Sequence, residues 1–330
     1  IDEELRSPVR ALDAGHKVRI LAVACDDGFH KSTTAGYTWE ALPVPADGGR
    51  PTDIRFHPEN PNVLFATTTK GVYRSRDFGE EFLGESWECL TTDLPPADPA
   101  DFTLALGPGH PGRIYAILEG RLFTRRLDEA AWQTGEDFGL RQYAKRAPWI
   151  AVDPSNPDHA FAGLEIRYGM LGTNSLLQET RDGGLTWTHG MREVYEQYAK
   201  GGTKAVLELL IRDSVVCPAI DPRNPQDVYT GGQTGILKSG DGGQTWQEKK
   251  AGLDIPVVRS VFAPRHSDWI FAGTPAGLFV SKDRGETWED AHLCLMFEKN
   301  TKREIGGASF IDAYWRARYY GFIDDATAKA

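Results

Sequence analysis

The chain has 330 residues, 40% of them hydrophobic and 25% charged, and its 37 basic against 47 acidic side chains leave a formal net charge of -10. That excess of acid repels phosphate backbones and anionic bilayers, so nucleic acid is excluded as a general partner. No apolar run reaches the roughly 18 residues of a spanning helix, which argues against membrane insertion.

In chain order, Val9 to Asp13 is expected as a first strand, and Ser32-Thr33-Thr34-Ala35-Gly36-Tyr37-Thr38-Trp39 is the first copy of an octapeptide that recurs along the chain. We call each copy a box. His57-Pro58-Glu59-Asn60-Pro61 precedes the second, which starts Ser75-Arg76-Asp77-Phe78-Gly79 and ends in Phe82. The stretch from Thr124 to Trp132 keeps little of the pattern beyond its Trp. The fuller copies follow: Thr180 to Trp187 after Asp153-Pro154-Ser155-Asn156-Pro157, Ser239 to Trp246 after Asp221-Pro222-Arg223-Asn224-Pro225, and Ser281 to Trp288. His57 to Asp77, Asp221 to Asp241 and Ala263 to Asp283 are each separated by about twenty residues, the mark of one supersecondary unit repeated.

The box has a physical logic. Its Asp can accept N–H bonds inside a tight turn, its Gly supplies a positive φ, and its Trp packs between sheets. The prolines upstream stop a strand and shape a loop. In the last full unit the expected strands are Val258 to Phe262, Trp269 to Gly273, Gly277 to Val280 and Thr287 to Asp290, one antiparallel blade of four. Such a sheet buries both faces only by stacking in a ring, so the expected fold is all-β, a single β-propeller over residues 1–330. Six blades are expected. Ala308 to Asp312 and Arg316 to Phe322 read as a further half repeat, either closing a six-bladed ring or forming a stunted seventh blade.

The Asp-Pro-x-Asn-Pro then Ser-x-Asp-Gly-Gly-x-Thr-Trp frame resembles the sialidase-like superfamily of BNR or Asp-box β-propellers. In repeat style it is similar to xyloglucanases, sortilin-type receptor domains and photosystem assembly propellers. The resemblance implies the propeller, and it implies activities as different as hydrolases, lyases, receptors and scaffolds.

The first-to-second and third-to-fourth connections of a blade share one end of the ring, which gathers the Pro-rich loops and the boxes. Segments 83–101, 133–147, 165–178, 188–214 and 289–306 fall at the other end and read as irregular insertions, so that end is expected to work. Within them, Met191 to Asp213 has helical spacing on both sides of Gly201-Gly202 and reads as two short helices.

Residues four before each Asp-Pro position should ring the channel mouth there: Asp53, Thr103, Trp149, Cys217 and Arg259. Asp53, Arg55 and Arg259 suit forked hydrogen bonds to a carboxylate, a sulfate or sugar hydroxyls, and Trp149 a stacking surface. The bland alternative is an internal ion pair between Asp53 and an arginine. Glycoside hydrolysis needs two carboxylates; Asp53, Glu119, Glu208 and Glu298 fall at this end, and Asp53 with Glu119 is the pair chosen. The expected partner is therefore a glycan or small polar ligand. The alternative is a non-catalytic scaffold that engages a protein partner through insertion aromatics such as Tyr143, Tyr195 and Tyr198.

The four cysteines lack the paired spacings of thiolate metal sites, and most histidines fall at repeat positions, His30 in a core-strand place, so no metal and no cofactor is expected. With no basic-then-apolar leader at Ile1, the compartment is open between cytosol and an exported form that has lost its leader.

Overall fold

The computed structural model describes residues 7, 9–15, 20–34, 36–45, 49–57, 60, 62–77, 87–91, 103–106, 112–118, 121–137, 144–167, 173–189, 218–232, 235–253, 257–264 and 267–291. These form six four-stranded antiparallel sheets, each built from strands consecutive in sequence. Blade 1 holds β1 (Val9–Gly15), β2 (Ile20–Cys25), β3 (Gly28–Ser32) and β4 (Glu40–Leu42). Blade 2 holds β5 (Pro51–Phe56), β6 (Leu64–Thr68), β7 (Gly71–Ser75) and β8 (Glu88–Cys89). Blade 3 holds β9 (Thr103–Leu106), β10 (Arg113–Leu118), β11 (Arg121–Arg126) and β12 (Gln133–Asp137). Blade 4 holds β13 (Ala144–Asp153), β14 (Asn156–Arg167), β15 (Thr173–Thr180) and β16 (Thr188–His189). Blade 5 holds β17 (Pro218–Ile220), β18 (Val228–Gly231), β19 (Ile236–Ser239) and β20 (Gln247–Lys249). Blade 6 holds β21 (Ser260–Phe262), β22 (Ile270–Thr274), β23 (Gly277–Ser281) and β24 (Glu289–Asp290). The fold is the six-bladed propeller read from the repeats.

First strands touch one another in turn, β1 with β5, β5 with β9, and so on to β21, so they line the inside of the ring. Second strands are buried on both faces, as in Leu64–Thr68 and Ile270–Thr274. Fourth strands such as Glu88–Cys89 and Glu289–Asp290 lie exposed at the outside.

From blade 2 to blade 6 an aromatic on the second strand carries the junction to the next blade, whereas Phe29 on the third strand of blade 1 packs with Ile54 and Phe56 of blade 2. Phe65 packs with Ile114 and Ala116, Tyr115 with Ala160, Ala162 and Trp187, Phe161 with Ile220 and Val228, and Tyr229 with Ile270, Ala272 and Trp288. Three of these rings sit under the box of the following blade. A Cβ on Gly243 would lie 2.5 Å from Phe161, one on Gly285 2.8 Å from Tyr229, and one on Gly184 3.2 Å from Tyr115. All three glycines also have φ near +90°, so the position demands glycine twice over.

The segments expected as irregular at 133–147 and 165–178 are in part strand. β12 takes residues 133–137, and β13, β14 and β15 run on, pairing Ala144 with Ile166 and Arg167 with Thr173. The backbone there satisfies itself by lengthening one hairpin rather than by looping. Segments 92–101, 190–214 and 292–306, including the expected helices, lie outside the described residues, as do Ala308 to Phe322.

Candidate functional site at the inner wall of blade 2

At the box end of the ring the turn carboxylates are bonded within their own turns. In blade 5 the Ser239 hydroxyl donates to Asp241 at 2.7 Å and accepts from Gly243 N at 2.8 Å. Asp241 accepts from Thr245 N at 2.8 Å and from the Thr245 hydroxyl at 2.6 Å, and Trp246 Nε1 donates to Gly243 O at 2.9 Å. Blade 4 repeats every bond with Thr180, Asp182, Thr186 and Trp187, and blade 6 repeats the carboxylate bonds with Ser281, Asp283 and Thr287. Burial opposes ionisation of Asp283, but the bonds from Thr287 and Ser281 prevail and bring it down to about 2. The Pro-rich loops meet the boxes at this same end, as Gly183 N donates to Asp158 O at 2.7 Å and Gly242 N to Gln226 O at 2.9 Å.

Blade 4 adds a buried network there. His159 Nδ1 lies 2.8 Å from Asp153 and Nε2 3.0 Å from Glu179, which also takes Arg181. Burial alone would lower the His159 pKa, yet the bonds to Asp153 and Glu179 outweigh it and hold it raised. The same exchange holds Asp153 lowered against the cost of its burial, through His159 and Ser155. The sequence reading took His159 as a loop residue of the repeat and missed this network, because its partners stand 6 and 20 residues away.

Asp53 belongs to the other end. The β5–β6 register pairs it with Thr67, next to the Thr68–Gly71 hairpin and away from His57. A register shift between Pro51 and Asp53 turns the strand there. The carboxylate is buried, accepts from Ile54 N at 2.8 Å, and lies 3.2 Å from Arg55, whose side chain is 37% exposed. Burial pushes the Asp53 carboxyl above its usual range, with Arg55 pulling the other way and Asp13 of blade 1 adding to the rise. Asp13 accepts from Phe56 N at 2.8 Å and so bridges β1 to β5. The wall thus carries acid, base and acid in one coupled group with a net charge of -1. An arginine already facing two carboxylates attracts an anion weakly, whereas open donors and acceptors suit uncharged hydroxyls.

Of the residues expected to ring the mouth, the structure brings Asp53 and Arg55 together, the internal pair foreseen as the alternative. Arg259 does not join them. It is exposed and precedes β21, its N–H donating to Gly273 O at 2.8 Å. Trp149 stands in β13 opposite Gly163, and Thr103 opens β9. Glu119, Tyr143, Tyr195, Tyr198, Glu208, Cys217 and Glu298 lie outside the described residues. Asp13 was missed, although its strand was expected, since nothing local ties it to Arg55.

No family profile matches the chain. A curated relative, a probable oligoxyloglucan-reducing end-specific xyloglucanase from Neosartorya fischeri, is 26% identical over 248 residues, which make up 69% of this chain. The chain spans only 27% of that relative's length. Among solved structures, an ancestral GH74 enzyme superposes with a TM-score of 0.60 at 18% identity, over 86% of this chain and 38% of its own. Virginiamycin B lyase from Staphylococcus aureus gives 0.56 at 11% identity, over 87% and 85%. A YCF48 protein bound to D1 peptide gives 0.51 at 16%, over 82% and 77%. All three structures are propeller neighbours, and at these identities they carry the fold alone.

Proposed function

We propose that the chain binds a neutral, hydroxyl-rich ligand, an oligosaccharide, at the inner wall away from the boxes, anchored by Asp53 and Arg55. The carrying observation is a buried carboxyl beside a partly open guanidinium at a place where the repeat demands neither, since blades 3 to 6 have Thr103, Trp149, Cys217 and Arg259 in the place of Asp53 and Ala105, Ala151, Ala219 and Val261 in the place of Arg55. The similarity to a probable xyloglucanase over 69% of the chain supports a glycan as the ligand class. The frame of the boxes supports placing the chain with Asp-box propellers.

Hydrolysis is the finer reading. A carboxyl whose pKa burial raises is suited to giving a proton to a leaving oxygen, and Glu119, at the end of the β10–β11 hairpin in sequence, is the proposed second carboxylate. Titration with neutral xyloglucan oligosaccharides, followed by calorimetry and by release of reducing ends, tests both levels. Asp53→Asn and Arg55→Met should each weaken binding at least tenfold while leaving the melting temperature within a few degrees. Turnover, if the finer reading holds, should vanish in Asp53→Asn and Glu119→Gln. Wild-type protein that binds no oligosaccharide, or variants that bind as well as wild type, sink the reading and leave the protein-partner alternative.

A further inference from the structure

The β2–β3 hairpin of blade 1 departs from the repeat at three positions within six residues. Blades 2 and 6 have hairpins of the same length, and each ends its second strand in Thr, Thr68 or Thr274. Those hydroxyls cap the turns by accepting from Lys70 N at 2.9 Å and Ala276 N at 3.1 Å. Blade 1 has Cys25 in that place, and a thiol is a poor substitute for that acceptor. The second turn residue, Lys70 or Ala276 elsewhere, is Asp27. The third residue of the following strand is a buried ring in blades 2, 3 and 6, Tyr73, Phe123 and Phe279, each 3% exposed, and here it is His30.

All three departures are to metal-ligating types, and they converge. The Cys25 sulfur, an Asp27 oxygen and a His30 ring nitrogen lie within 4.8 Å of one another. His30 Nε2 and Asp27 Oδ1 are 3.3 Å apart, a long hydrogen bond. That separation matches the edge of about 3.4 Å between N and O ligands of a tetrahedral zinc with bonds near 2.1 Å. Cys25 lies buried at the base, His30 is 16% exposed, and Asp27, 51% exposed, has room to swing inward.

We propose that Cys25, Asp27 and His30 form a three-ligand site for a borderline divalent transition metal of the zinc class, with a fourth position open to solvent. Thiolate, imidazole and carboxylate together disfavour calcium and magnesium, which take oxygen ligands. Binding requires the Cys25 thiol to release its proton, while His30 binds as the neutral imidazole. The site lies at the hairpin end of the ring, the end that also holds Asp53, and it stands independently of the oligosaccharide reading.

The test is titration of the purified full chain with Co2+ and then Zn2+. One equivalent of Co2+ should produce a thiolate-to-metal charge-transfer band, which Zn2+ displaces. Cys25→Ser should abolish the band, and Asp27→Asn should weaken Zn2+ binding at least tenfold. His30→Phe restores the ring that blades 3 and 6 carry, so it should abolish the site while leaving the metal-free melting temperature at or above wild type. No charge-transfer band in the wild type overturns the proposal. So does Zn2+ affinity that is the same in wild type, Asp27→Asn and His30→Phe. If Cys25→Ser fails to fold, the other two variants decide the matter alone.

Discussion

The two ends of the ring solve different problems. At the box end, three blades repeat the same carboxylate turn bond for bond, and Asp182, Asp241 and Asp283 each hold a Thr N–H and hydroxyl four residues on. At the hairpin end the recurring parts are buried rings and turn caps such as Thr68 and Thr274, and single blades add polar groupings that stacking does not require, Asp53 with Arg55 in one and Cys25, Asp27 and His30 in another. Chemistry that recurs from blade to blade serves the blade, and the buried His159 network shows that a single blade can elaborate it for stability as well. The box end is therefore read as scaffold, and both sites proposed above lie at the other end.

The sharpest way to break that contrast is Gly243→Val. A Cβ there meets Phe161 of the preceding blade at 2.5 Å with φ at +93°, so the junction between blades 4 and 5 should lose about 3 kcal/mol or more in chemical denaturation. Oligosaccharide affinity of the folded fraction should not change, and a large change in it would erase the division between the ends.

His159→Ala leaves Asp153 and Glu179 buried with one partner fewer and should cost about 3 kcal/mol at its peak. The raised His159 pKa makes its contribution full below its ordinary value of about 6.5 and lost as pH climbs through the higher folded value. The lowered Asp153 pKa makes its share present above about 3.9 and lost as pH falls. The gap between wild type and variant should thus be widest between about pH 4 and 6.5 and narrow on both sides, as urea melts across pH would show. A gap that does not change with pH contradicts the assigned charges.

Asp241→Ala removes three turn bonds, from the Ser239 hydroxyl and from the Thr245 N–H and hydroxyl, at a half-buried site, and about 1 kcal/mol of stability should go with them. The smallest effect sharpens the comparison from the other side. In blade 1 Thr34 occupies the carboxylate place and accepts from Thr38 N at 2.8 Å as a neutral oxygen. Thr34→Asp should convert that bond to a charge-assisted one and stabilise the protein by about 0.5 kcal/mol in thermal melts. A loss instead would show that this box has left the common geometry.

Most of the architecture was legible because it is local. Box bonds join residues two to four apart, Gly183, Gly242 and their neighbours need left-handed backbone, and the four strands around each box fell within about two residues of expectation in blade 6. The lengthened β13 to β15 hairpin was not legible as strand, since its extra pairs lack the box and Pro-rich punctuation that marks the others.

The sequence by itself determined the repeat, the strand order within each blade and the all-β ring, because short-range hydrogen bonds and glycine's freedom at positive φ depend only on nearby residues. Tertiary structure decided which side chains meet across blades or across a strand pair: Asp13 with Phe56 and Arg55, Phe161 under Gly243, His159 between Asp153 and Glu179, Cys25 beside Asp27 and His30. Those meetings depend on strand register and on how one twisted sheet stacks on the next, and the spacing of the residues along the chain shows neither.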